Sequence, residues 1–293
     1  MEDALVALAS LPYLAPVAKN LLHAISYGIK RFLEPYFIAR EEKMKAKTEL
    51  EIFRTSPLRQ IEFAQEFIKN ADGKYPTEAV KEMRNTIDII MGAIGYSKDI
   101  SADIEHTDNP DDEWYARFFD EAKYISDKEL QDVWARLLSE RVIRSLGINN
   151  RVLYFIRDLD KEEIRTICRA LRLFINDSFM PKSIADKVED FSTDIVTLLS
   201  LGIVTPGSSF SWSATVKKGD TLDAHGASFE ITPLATDKTS VEINCFCLTP
   251  EGKVLSRLSN EFMSPAEAQL ICNAINEYWI GKAEVKVIIA DKQ

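Results

Sequence analysis

The chain has 293 residues, with 36 Lys and Arg against 46 Asp and Glu and a formal net charge of -10. That balance works against broad contact with phosphate backbones, so a nucleic-acid role would need a local basic patch. Hydrophobic residues make up 46%, which excludes a disordered chain and allows one large or two ordinary domains.

The start is acidic, at Glu2 and Asp3, where a secretory leader would be basic, so no cleavable signal peptide is expected. Ala4 to Ala18 carries no charge, but this run is shorter than the roughly 20 residues of a spanning helix. Pro12 and Pro16 interrupt it. Val17, Leu21, Ile25, Ile29 and Phe32 then continue one helical stripe, with Leu14, Ala18, Leu22 and Leu33 beside it. Lys19, Asn20, His23, Ser26, Lys30, Arg31 and Glu34 occupy the other face. Such a helix suits docking on the body of the protein or on another copy, and its cations also suit an anionic membrane surface. A spanning helix from Ala4 to Ile29 would bury Lys19 and His23 at high cost. Leu14, Val17, Leu21, Ile25, Ile29, Phe32, Lys30 and Arg31 are therefore the expected membrane or partner contacts.

A charged helical run, Arg40 to Glu51, follows. Leu58, Ile61, Ala64, Phe67 and Ile68 predict the next helix, ended by Asp72-Gly73 and Pro76. Thr77 and Glu78 open another, carrying Val80, Met83, Ile87, Ile90, Met91 and Ile94. Ser97 to Glu113 is acidic and turn-rich and reads as a linker. Asp112 to Val142 predicts a helical hairpin. Trp114, Phe118, Phe119, Ala122 and Ile125 share one face of its first helix, and Leu130, Val133, Trp134, Leu137 and Leu138 share one face of its second. Ser126 and Glu129 have the spacing of a capping box.

Asp160 with Glu163 predicts a capped helix through Ile164, Ile167, Cys168, Leu171, Phe174 and Ile175. Ser183 to Leu201 reads as one helix closed by Gly202 in a left-handed cap. Phe210 to Val216, Ser228 to Thr232 and Val241 to Leu248 read as strands. Thr249-Pro250-Glu251-Gly252 opens a short helix, Lys253 to Leu258. Ser264-Pro265 starts a final helix, and Ala283 to Ala290 is a last strand. Residues 160 to 258 resemble the winged-helix arrangement. Its usual use is DNA reading through a basic helix, but here Lys187 faces Asp186, Glu189, Asp190 and Asp194.

Three passages carry a family resemblance: Phe118-Phe119-x-Glu121-Ala122, Ile125-Ser126-Asp127-x-Glu129-Leu130-Gln131, and Trp134-Ala135-Arg136-Leu137-Leu138. They resemble an uncharacterised bacterial family related to abortive-infection proteins of the Abi-alpha type. Gly28-Ile29-x-Arg31, followed by Glu34-Pro35-Tyr36, is similar to it too. Leu146-Gly147-Ile148-Asn149-Asn150 departs from the Pro-Gly-Ser-Phe often found there. The resemblance implies a cytoplasmic bacterial protein, encoded by phage or opposing it; the amphipathic helix from Val17 to Phe32 adds the alternative of a peripheral position at the inner membrane. The resemblance implies no reaction. Trp114, Phe118, Phe119, Glu121, Ser126, Glu129, Gln131 and Trp134 are its candidate site residues.

Catalytic signatures are lacking. His106 lies in the acidic linker, His225 in a turn-like Asp223-Ala-His-Gly226, and His23 on a polar helix face. Cys245-x-Cys247 places two thiols on one strand face, but structural zinc prefers wider spacing and a second pair. All four cysteines, Cys168, Cys245, Cys247 and Cys272, are expected as reduced thiols. No phosphate-binding glycine loop occurs. Eleven carboxylates and three basic residues lie between Asp103 and Asp132, which suits a solvated face or docking surface. The sequence thus predicts a mainly helical α+β protein: residues 1–53 as an amphipathic and a charged helix, 57–158 as a helical domain, and 159–293 as a winged-helix-like domain. The expected function is a non-enzymatic interaction protein of phage defence, with a protein partner or self-association, no metal and no cofactor. The alternatives are a DNA-binding regulator and an enzyme with an unrecognised site.

Overall fold

The computed structural model describes residues 15–41, 56–70, 76–97, 111–144, 148–206 and 210–289. The chain is a mainly helical α+β protein that divides into two compact units, Met1–Asp158 and Leu159–Gln293. Leu14, most of the charged run after Arg40, most of the acidic linker with His106, and Leu146-Gly147 lie outside the described residues.

In the first unit the described elements are α1 (Ala15–Glu41), α2 (Pro57–Lys69), α3 (Thr77–Ser97), α4 (Asp112–Ala122), α5 (Lys128–Arg144) and α6 (Asn150–Arg157). Local chemistry sets several of their starts. Ser56 accepts from Arg59 N with Pro57 next, Asp111 accepts from Trp114 N, and Asn149 accepts from Arg151 N and Val152 N. Each such cap stabilises by about 1 kcal/mol. The α4–α5 hairpin buries Trp114, Phe118, Phe119, Ala122, Val133, Trp134, Leu137 and Leu138, as its periodicity requires. The start of α5 differs from expectation. Asp127, one residue beyond Ser126, is the cap: its carboxylate accepts from Glu129 N at 2.9 Å and Leu130 N at 3.3 Å, and its carbonyl accepts from Gln131 N.

The stripe on α1 is spent inside this unit. Leu21, Ala24, Ile25, Ile29 and Leu33 are fully buried, and α1 packs against α2, α3, α4 and α5. Leu21, Ile25 and Ile29 therefore do not face a membrane or partner in this fold. Fully burying each such side chain is worth about 2 kcal/mol, and the unit's own helices supply the apolar surface for it.

The second unit contains α7 (Lys161–Leu171), β1 (Phe179–Pro181), a 3-10 turn (Lys182–Ile184), α8 (Phe191–Ser200), β2 (Ser211–Lys217), β3 (Thr221–Ala224), β4 (Ala227–Pro233), β5 (Lys238–Cys247), α9 (Pro250–Leu258), α10 (Pro265–Tyr278) and β6 (Ala283–Ile289). One antiparallel sheet has the order β1-β5-β2 and a second has β3-β4-β6. With α7 and α8 preceding β2, the first sheet has winged-helix order. In the second sheet the β3–β4 hairpin, which lies between β2 and β5 in the chain, pairs with the last strand. Capping boxes at Asp160/Glu163 and Ser264/Glu267 are both formed.

The Leu201-Gly202-Ile203-Val204 and Thr249-Pro250-Glu251-Gly252 passages dock on each other. Thr249 N donates to Ile203 O at 2.9 Å, the Thr249 hydroxyl donates to Gly202 O at 2.9 Å, and Val204 bridges Leu248. Gly202 has φ +70, the left-handed cap its position predicts.

The expected helix from Ser183 is shorter. Asp190 has φ +61, a conformation that cannot continue a right-handed helix, so α8 begins at Phe191 and the residues before it form turns. Neither β1 nor β3 was anticipated. They have three and four residues, too few to show an alternating period.

Candidate functional site

The hairpin residues form the structural centre of the first unit. Trp114 stacks on Phe118 at 5.2 Å between centroids, and Phe118 meets Trp134 at 5.2 Å. Gln131 is buried beneath the α4–α5 loop. Its Nε2 donates to Ile125 O at 2.8 Å and to Asn85 Oδ1 at 3.3 Å, and Asn85 Nδ2 donates to Lys123 O at 2.8 Å. Two amides thus satisfy two loop carbonyls, which fixes the loop between the helices. Glu121 pairs with Arg157 at 3.4 Å, whereas Ser126 and Glu129 are exposed. On α3 and α5, Tyr96 donates its hydroxyl to Asp132, and Arg136 donates to the same hydroxyl at 3.1 Å. Burial and the Asp132 carboxylate raise the Tyr96 phenol above its usual pKa. Asn85 and Tyr96 of α3 are not legible in the sequence as site residues, because their partners lie beyond their own helix; Asp132 and Arg136, four residues apart on α5, also pair with each other at 3.1 Å.

Gly28 and Arg31 of α1 serve this same hairpin. A Cβ at Gly28 would stand 2.5 Å from Phe119 Cε1 and Cζ. Arg31 makes a bidentate pair with Asp120, at 3.1 Å from Nε and 2.7 Å from the terminal amine. Glycine and arginine three residues apart thereby seat α1 on α4. Arg31 is a docking residue here. Lys30 and Phe32 are half-buried, the Lys123 ammonium lies 5.6 Å from the Phe32 ring, and Val17 falls in the first turn of α1.

In the second unit, the helix that occupies the recognition position is α8. Its sequence, FSTDIVTLLS, holds no Lys or Arg. Its one carboxylate, Asp194, is buried and bound by Arg169 of α7 at 2.9 and 2.5 Å. Ser192, Thr193, Val196 and Ser200 are exposed, with Val196 at 63%. Exposed Asp186, Glu189 and Asp190 precede them, with Lys187 among them. This face is uncharged and partly apolar, with acidic residues at one end.

A second cluster in this unit brings together residue types of hydrolytic enzymes. Ser256 donates to Asp177 Oδ1 at 2.7 Å, His225 Nε2 lies 3.2 Å from Ser256 Oγ and 3.7 Å from Asp177 Oδ1, and Arg257 Nε is 3.6 Å from Asp177 Oδ2. Burial pushes the Asp177 carboxyl up. The bonds from His225 and Ser256, with the charges of His225 and Arg257, outweigh that and hold it below the usual carboxylate range. Asn176 and Asp177 both have positive φ, +50 and +48, a costly conformation for non-glycine residues. The order of contacts is not that of nucleophile, base and orienting acid. The serine hydroxyl donates to the carboxylate, one imidazole nitrogen faces both, and Ser256 is 0% exposed. The cluster ties the turn before β1, the β3–β4 turn and α9 into one frame. Sequence reading placed His225 only in a turn, and nothing local linked it to residues 31 and 48 positions away.

Among the described residues, no group of three or more His, Cys, Asp or Glu is placed to hold a metal ion, and no helix is long and apolar enough to cross a membrane. One family model matches, over residues 77–183: a protein family of unknown function, DUF2806. The match runs from α3 to just past β1, includes the whole hairpin, and places that segment in an uncharacterised domain family. No curated protein and no solved structure matches the chain.

Proposed function

We propose that this chain is a non-enzymatic bacterial interaction protein whose winged-helix-like unit contacts a protein partner through the outer face of α8. The observation that supports this reading is the composition of that face. A duplex-reading helix needs cations for phosphates and donors for base edges. α8 offers Ser192, Thr193, Val196 and Ser200, and its carboxylate is spent on Arg169. An exposed valine among small hydroxyl residues suits a protein surface of matching shape, and Asp186, Glu189 and Asp190 favour a partner with basic residues at the rim. Phage defence as the setting rests on the resemblance of the Leu130-Gln131-x-x-Trp134-Ala135-x-Leu137-Leu138 pattern to Abi-alpha type proteins. The α1 stripe enters the reading as the packing that holds the hairpin, so membrane association is not required.

The test places a photoreactive amino acid at position 193, exposed on the same face of α8, of the full chain in bacterial cells. A discrete protein adduct that disappears in Val196→Asp supports the reading, provided that variant keeps the wild-type melting temperature. Absence of an adduct, together with duplex DNA binding that weakens steeply with salt, would replace it with the regulator reading. Plaque counts on cells with and without the chain test the defence setting, and membrane flotation of the same cells tests the α1 assignment.

A further inference from the structure

β5 carries Cys245 and Cys247 on one face, with their Sγ atoms 3.5 Å apart. The two sulfurs differ in access. Cys245 is fully buried and Cys247 is half-buried. Burial and the neighbouring thiol push Cys245 up to about 12, so it stays protonated and is a poor first nucleophile. The pair also lies where β5 changes partners. β2 pairing ends at Asn244, opposite Ser211, while β1 pairs Pro181 with Cys245 and Phe179 with Cys247. Past that point the strand is held on its other edge by Cys245 N donating to Phe210 O at 3.0 Å and Thr205 N donating to Cys247 O at 2.8 Å.

We propose that Cys245 and Cys247 form a dithiol site oxidised by hydroperoxides, in which Cys247 reacts first and Cys245 resolves. The Cys247 sulfur attacks the peroxide, an S–O bond forms, the O–O bond breaks, and the thiol proton leaves with the departing oxygen as water or alcohol. The Cys245 sulfur then attacks Cys247. The S–S bond forms, the S–O bond breaks, and the hydroxyl leaves as water with the Cys245 proton. Two thiols lose two electrons in all, and the peroxide gains them. The sulfurs must close from 3.5 Å to a bond of about 2.05 Å. Residues i and i+2 of an extended strand have Cα atoms about 6.6 Å apart, near the upper end of the disulfide range. Oxidation therefore shortens β5 and pulls on the bonds to Phe210 and Thr205.

The test exposes the reduced full chain to hydrogen peroxide, blocks remaining thiols with an alkylating agent, and reads the tryptic peptide holding both cysteines by mass spectrometry. The expected result is loss of two hydrogens from that peptide, no alkylation within it, and full recovery of both thiols on reduction. In Cys245→Ser, Cys247 should instead be trapped as a sulfenic acid that reacts with dimedone, and Cys247→Ser should leave Cys245 unoxidised under the same exposure. Cys168, half-buried on α7, serves as the internal comparison within one digest. Two intact alkylatable thiols after Cys168 has reacted, or sulfinic acid at Cys247 without the two-hydrogen loss, overturns the proposal. The wild-type peptide decides it even where a variant fails to fold.

Discussion

Gly28→Ala tests whether α1 is seated on the hairpin by the absence of a side chain. The added Cβ would stand 2.5 Å from Phe119 Cε1 and Cζ and 2.9 Å from Cδ1. Phe119 is fully buried, so its ring has no solvent to turn into, and the contact must open by about 1 Å to reach carbon–carbon separations near 3.5 Å. Overpacking of this kind costs about 1–3 kcal/mol, against a gain of about 1 kcal/mol from replacing glycine within a helix. The net is a loss of up to about 2 kcal/mol. Gly95 of α3 gives the control. It has open space where its Cβ would go, so Gly95→Ala should only gain, by up to about 1 kcal/mol. The assay is urea unfolding of the full chain with Gly28→Ala, Phe119→Leu and the double variant. Phe119→Leu alone should cost about 1–2 kcal/mol, but it makes room for the new methyl group. The double variant should therefore lose at least about 1 kcal/mol less than the sum of the singles. Additivity within about 0.5 kcal/mol would refute the close approach of α1 to α4.

Gln131→Leu should destabilise the first unit by about 1–3 kcal/mol, because Ile125 O loses its donor; an unchanged urea midpoint would mean the loop does not depend on that amide. Asp194→Ala should cost about 1–3 kcal/mol by removing the charge-assisted bonds from Arg169, and protease cleavage within 161–200 should accelerate. Glu267 is held below the usual carboxylate range: burial pushes it up, but Arg172 and Ser264 outweigh that. A depressed folded pKa gives stability that is fully present above the unfolded value, near 4.3, and is lost as pH falls through the folded value. Glu267→Gln should accordingly lower the melting temperature at pH 7 and flatten its decline on acidification below about pH 4.3; parallel pH curves for both proteins would contradict this.

The elements that the sequence determined by itself are those whose causes lie within a turn or two of chain. Asp160 with Glu163 and Ser264 with Glu267 make their capping boxes, because each bond spans three residues. The aromatic faces of α4 and α5 follow from periodicity, and Gly202 ends its helix through one left-handed residue. Small local shifts escaped even there: Asp127 displaced Ser126 as the cap, and Asp190 delayed α8 to Phe191. Tertiary structure alone decided where each apolar face goes and which charges meet. The stripe through Leu21, Ile25 and Ile29 has the same spacing whether it covers a membrane, a partner or the chain's own helices, and only the neighbouring helices show that it is spent within the unit. Likewise Arg31 with Asp120, Asp194 with Arg169, and Ser256 with Asp177 are 89, 25 and 79 residues apart. Burial strengthens such bonds by removing competing water, but the pairing itself exists only once the fold has brought the two ends together.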